Sequence, residues 1–96
     1  MSLKETGVFE TANASRYMQQ LCKHFAHKVE VDYDETQARA ALPVGPATMN
    51  ADDSVLRVNI TAEDEEGLAR ARHIIDDHLR RFAHRENFEH MTWQAA

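Results

Sequence analysis

Between Val29 and Ile60 the apolar residues fall on alternate positions, the period of a strand buried on one face. Val29, Val31 and Tyr33 share one side against Glu30, Asp32 and Asp34. Ala38, Ala40 and Leu42 repeat the pattern, then Ala47, Met49 and Ala51, then Leu56, Val58 and Ile60. Turn-forming residues separate these runs: Asp34-Glu35-Thr36, Pro43 with Gly45-Pro46, and Asp52-Asp53-Ser54. Consecutive strands joined by such short links predict an antiparallel meander with one apolar face.

Segments of a different period flank the meander. Tyr17, Met18, Leu21 and Phe25 recur at three- and four-residue spacing and predict a helix from Ala14 to about His27. The stretch Thr11–Ser15 offers side-chain oxygens to cap its start. Leu68, Ala71, Ile75, Leu79 and Phe82 predict a second helix from Ala62 to His84, with Thr61 as its cap three residues before Asp64. Glu63, Asp64, Glu65 and Glu66 in its first turns, and Arg80, Arg81 and Arg85 near its end, suit the helix dipole. Residues 5–10 read as a short opening strand. The order β-α-β-β-β-β-α then implies an α+β two-layer sandwich: an antiparallel five-stranded sheet with two helices on one face. This layout resembles a repeat of the TATA-binding-protein-like topology, a likeness of arrangement that carries no function.

A helix over 62–84 would be roughly 35 Å long against roughly 23 Å for a seven-residue strand. Its end should overhang the sheet, yet Phe82 and Ala83 are apolar and need cover. The C-terminal tail, residues 87–96, could supply it through Phe88, Met91 and Trp93; otherwise a second subunit would, and the expectation of a homodimer rests on that alternative.

The chain has 96 residues, the size of one domain, so residues 1–96 are read as a single unit. Its formal net charge of −5 makes it a poor neutraliser of phosphates, and no nucleic-acid partner is expected, although Arg80, Arg81 and Arg85 form a local basic group. Cys22 is the single cysteine, so no internal disulfide forms. No apolar run is long enough to span a bilayer and no signal-peptide core is present, so no membrane association and a cytoplasmic location are expected. Met1-Ser2-Leu3 is left out of the assignment.

The stretch from Thr11 to Lys28 (TANASRYMQQLCKHFAHK) resembles the start of a small bacterial family, domain-of-unknown-function family 2218, and the stretch from Asp77 to Glu86 (DHLRRFAHRE) resembles its end. The two blocks span nearly the whole chain. The resemblance implies no activity. Related domains are joined to, or encoded beside, siderophore-interacting flavin reductases, so it implies such a reductase as a partner and a link to siderophore and iron metabolism.

Cys22, His24 and His27 form the pattern C-x-H-x-x-H in a chain with six histidines. His24 and His27 are three apart and can share one helix face. Cys22 is about 200° around the helix from His24 and should not join them. His78, beside the apolar stripe of the second helix, is the candidate third ligand for a divalent transition metal. The competing reading places His24, His27 and Lys28 in the last helical turn, where the dipole favours positive groups, with Cys22 a small buried hydrophobe. Asp77 and His78 are adjacent and diverge by about 100°, so Asp77 fits better with Arg81 or His73. No serine, threonine or cysteine stands in a nucleophile motif, and three glycines build no phosphate loop. The sequence therefore favours a non-catalytic accessory or interaction domain, with a metal-binding module as the alternative.

Overall fold

In a computed structural model, which describes residues 2–86 and 88–95, the alternating runs become the strands of one sheet. The chain passes through β1 (Leu3–Glu10), α1 (Ala14–Phe25), β2 (Val31–Tyr33), β3 (Gln37–Leu42), β4 (Gly45–Ala51), β5 (Val55–Ala62) and α2 (Glu65–Phe82). A 3-10 turn (His84–Glu86) and β6 (Thr92–Ala95) follow. The sheet order is β2-β3-β4-β5-β1-β6, and every neighbouring pair is antiparallel.

Period two decides the faces. Along β3, β4 and β5 buried and outward residues alternate, so Ala40, Met49, Leu56, Val58 and Ile60 all point to one side. Both helices lie there: α1 packs on β2 to β5, α2 on β5 and β1, and the helices touch each other. Met18 and Leu21 of α1 and Leu68, Ile75 and Leu79 of α2 complete the core, each 2% exposed or less. Burying a side chain of this kind contributes about 1.5–3 kcal/mol, which is why the apolar stripes specify where the helices sit.

The turns follow their predicted chemistry. Asp34 Oδ1 accepts from the backbone N–H groups of Thr36 (2.8 Å) and Gln37 (2.9 Å), and Asp52 Oδ1 does the same for Ser54 and Val55, both at 2.8 Å. These backbone donors hold both carboxyls below the usual carboxylate range. In the β3–β4 link Gly45 has φ +148, and a Cβ there would lie 2.0 Å from the Thr61 carbonyl oxygen, so no other residue fits.

The helix bounds and the strand count differ from expectation. The second helix starts later, at Glu65, because β5 continues through Thr61 and Ala62 in register with Lys4 and Leu3. Thr61 is part of the ladder and does not cap. Asp64 caps instead, accepting from Gly67 N–H at 2.8 Å. The predicted overhang disappears with it, since 18 helical residues span about 27 Å and the 8 residues of β5 about the same. The first helix likewise stops at Phe25, where Lys28 and Val29 N–H both turn back to its carbonyl.

The sheet has six strands rather than five. The tail folds back as one of the two sequence alternatives required, but it also adds β6 to the edge of β1, over the register Glu5↔Ala95 to Val8↔Thr92. A four-residue edge strand with one large apolar side chain carries too short an alternation to read as a strand. Of the predicted tail, Asn87 and Ala96 lie outside the described residues. Leu3, left unassigned from sequence, opens β1 opposite Ala62.

Candidate functional site

His24 is exposed in the last turn of α1 and His78 is half-buried on α2, and their ring centroids lie 6.0 Å apart, edge to face. His24 lies tilted against Phe82 with ring centroids 4.8 Å apart and His78 meets Phe25 edge-on at 5.1 Å, so the two rings close one end of the seam between the helices. It is the His24 ring that shelters Phe82, while Ala83 is fully buried. Nδ1 of His78 is 2.7 Å from the Ile74 carbonyl oxygen. A carbonyl only accepts, so Nδ1 carries a proton, and in the neutral ring the lone pair is then on Nε2.

The structure thus brings His24 and His78 together. His27 is exposed in the turn after α1, and among the described residues no group of three or more His, Cys, Asp or Glu side chains is arranged to hold a metal ion. Cys22 is fully buried on the opposite side of α1 from His24, as the helical angle requires, and burial pushes its thiol up to about 11. Asp77 pairs with Arg81 at 3.0 Å rather than with His78.

A second constellation joins α2, β1 and the tail. Asp76, 7% exposed, faces inward from α2 and accepts two hydrogen bonds. One comes from Met91 N–H at 2.9 Å, the other from Trp93 Nε1–H at 3.0 Å. Trp93 lies opposite Gly7 in the β1–β6 register, and its ring occupies the space a Cβ on Gly7 would need, with ring atoms 2.7–2.9 Å from that position. One helical turn earlier, Arg72 pairs with Glu5 of β1 at 2.5 Å. Arg80 Nε donates to the Glu89 carbonyl at 2.7 Å, and Phe88 packs on Phe9 at 4.6 Å.

Just before this tail, Glu86 ties the end of the chain to the start of α1. Its carboxylate accepts from Thr11 Oγ1 (2.8 Å), from Asn13 Nδ2 (3.3 Å) and from the Tyr17 hydroxyl. The Tyr17 bond, with the Thr11 and Asn13 donors, holds Glu86 below the usual carboxylate range. Burial first, and the Glu86 carboxylate second, raise the Tyr17 phenol.

Sequence reading missed Gly7, Asp76 and Trp93 as a set, although each carried a signal. Glycine inside a strand marks a close approach. Asp76 stands beside Ile75 and three residues before Leu79, on the buried side of the stripe, where an acid needs a partner. Trp93 is the chain's single tryptophan and its indole N–H needs an acceptor. What no pattern could show is that the three meet.

The sheet's other face is open. The register places Lys4, Thr6, Val8 and Glu10 of β1 there, with Arg57, Asn59 and Thr61 of β5, Thr48 and Asn50 of β4, Arg39 of β3 and Asp32 of β2. Thr6 Oγ1 donates to Asn59 Oδ1 at 2.7 Å across the strands. Lys4, Arg39 and Arg57 share this face with Glu10 and Asp32, and Arg57 lies 3.7 Å from Asp52, so cations and anions are mixed there. Among the described residues, no buried side-chain nitrogen or oxygen lacks a partner, and no helix is long and apolar enough to cross a membrane.

Comparison with solved structures finds the same fold in PA4090 from Pseudomonas aeruginosa, determined by NMR, at 29% identity and a TM-score of 0.79. The match covers 96% of this chain and 95% of that one. No curated protein matches. Residues 6–94 match the family described as an uncharacterized protein conserved in bacteria (DUF2218), a span that holds both the Thr11–Lys28 and the Asp77–Glu86 blocks. The chain belongs to that family.

Proposed function

We propose that this chain is a non-catalytic accessory domain that docks on another protein through the open face of its sheet. The observation that carries the reading is the division of polar groups. Asp76, Glu86, Arg72 and Glu5 join elements of the fold to one another, whereas Lys4, Arg39, Thr48, Asn50 and Thr61 stand outward on the open face. An antiparallel sheet covered on one side presents such a face to solvent or to a partner. Its Lys4 and Arg39 offer positive charge to an acidic partner surface, and charge complementarity sets which surfaces meet and how fast.

The family context makes a siderophore-interacting flavin reductase the partner to test, which would place the domain in siderophore and iron metabolism. The test is calorimetric titration of the purified domain into such a reductase. Saturable binding with a Kd of about 10 μM or tighter is expected, corresponding to roughly −7 kcal/mol. Replacing both Lys4 and Arg39 by Glu should weaken it at least about tenfold, because both charges become repulsive. Absence of binding at about 100 μM would remove this partner.

A second reading, a metal-binding module, draws on one observation: His24 and His78 face each other across the helix seam, with the His78 Nδ1 proton directed at a carbonyl. That arrangement leaves Nε2 as the donor atom, the pattern found at ligating histidines. Solvent would complete the shell of a divalent ion such as zinc or nickel. Zinc titration followed by histidine ring NMR resonances should shift His24 and His78 together. Affinity no tighter than about 1 mM, some 4 kcal/mol, would end this reading.

A further inference from the structure

Strand β2 ends the sheet, so one of its sides has no neighbouring strand among the described residues. The register settles which backbone groups stand there. Ala41 N–H donates to the Glu30 carbonyl and Asp34 N–H to the Gln37 carbonyl, at 3.0 and 2.9 Å. Bonded and unbonded positions alternate along an antiparallel pair. Asp32 therefore bonds inward, to Arg39, while Val31 and Tyr33 turn their N–H and C=O groups to the free side. Side chains alternate as well. Asp32 points to the open face of the sheet, with Glu30 and Asp34 at the neighbouring positions of the same side. Tyr33 stands on the helix side, 39% exposed, the one exposed large apolar side chain among the described residues.

A row of free donors and acceptors is a template for another strand. Which strand it accepts follows from charge. Over residues 28–39 Glu30, Asp32, Asp34 and Glu35 outnumber Lys28 and Arg39, and no salt bridge among the described residues reaches any of them. A second copy of β2 is barred, because antiparallel pairing would set acid against acid, and like charges directly opposite are destabilising. The other edge strand, β6, has no charged side chain from Thr92 to Ala95 to select a neighbour. We infer that the free edge of β2 receives an extended basic segment of a partner protein by strand addition. In that segment Lys or Arg alternates with apolar residues, the cations beside Glu30, Asp32 and Asp34 and the apolar groups beside Val31 and Tyr33. Main-chain bonds hold such a segment and its alternate side chains select it.

The probe is a short blocked peptide in which lysine alternates with valine, titrated into the full chain at low salt, with a glutamate–valine peptide as control. Binding with a Kd of about 1 mM or tighter is expected for the lysine peptide alone. At about 80% occupancy a group shielded only in the complex exchanges its hydrogen about fivefold more slowly, and the Val31 and Tyr33 amides should slow by that factor. Two further peptides carry N-methyl groups, one on its valines and one on its lysines. An added strand turns only one of these two sets of N–H groups towards β2, the valines if antiparallel and the lysines if parallel. One methylated peptide should therefore bind at least about tenfold more weakly while the other stays within about threefold of the parent. Equal loss or equal retention in the two, binding of the glutamate peptide, or unchanged exchange at Val31 and Tyr33 overturns the proposal. The readout sits at the edge of β2, so its failure is distinct from failure of docking through Lys4 and Arg39 on the open face.

Discussion

At the scale of single residues, the most consequential contact is one that a missing atom makes possible. Gly7 has no Cβ, so the Trp93 ring can lie against the β1 backbone and aim its N–H at Asp76. Gly7→Ala should cost about 1–3 kcal/mol by displacing the ring, and Trp93→Ala about 3 kcal/mol through the space it leaves. The double variant should cost at least about 1 kcal/mol less than the sum, since the methyl added to β1 has nothing to clash with once the ring is gone. Urea unfolding of the four proteins checks this, and strict additivity would separate the two residues. Asp76→Ala should lose about 3 kcal/mol, because the Met91 and Trp93 donors are left without an acceptor. Asp76→Asn should recover only part of it, because the amide end of the new side chain is a donor facing donors.

At the scale of elements, the start of α2 separates what pattern can and cannot locate. The apolar stripe Leu68-Ala71-Ile75-Leu79 was legible, and with it the helix. Its first residue was not, because Thr61 and Asp64 are both good caps and only the β1 ladder, reaching Ala62, decides between them. Asp64→Ala should therefore lower stability by about 1 kcal/mol, the usual value of a lost cap, with a matching fall in thermal midpoint. A change of a few tenths would show the Gly67 N–H to be satisfied otherwise. The helix seam was equally legible in part: His24 and His78 each border an apolar stripe, and side-by-side helices bring them together. Their engagement with Phe82 and Phe25 depends on where those helices settle on the sheet.

Across the whole molecule, Glu86 fastens the end of the chain to the start of α1, and its charge state reports on that closure. Its carboxyl is depressed from 4.5 chiefly by the Tyr17 hydroxyl, so the stability it contributes is present above that value and is lost as pH falls through the lower folded one. Tyr17 is raised from 10.0, so its contribution is present below pH 10 and is lost as pH rises through the higher folded value. Tyr17→Phe should flatten both limbs of the stability–pH curve, the acid limb by removing the main cause of the Glu86 depression. Urea midpoints measured from about pH 3 to 11 test this, and an unchanged acid limb would mean that Thr11 and Asn13 suffice.

The sequence by itself determined the meander, the two helices and the face on which they meet. Side-chain periodicity encodes which face of an element is buried, and burial dominates the energetics of so small a chain. The tertiary structure alone decided that β1 lies between β5 and β6, that the tail becomes a strand, and that Asp76 and Glu86 fasten it at both ends. Those pairings join residues as far apart as Thr11 and Glu86 in sequence. Hydrogen bonds and close approaches over such separations depend on where the packed elements come to rest, and no local period records that.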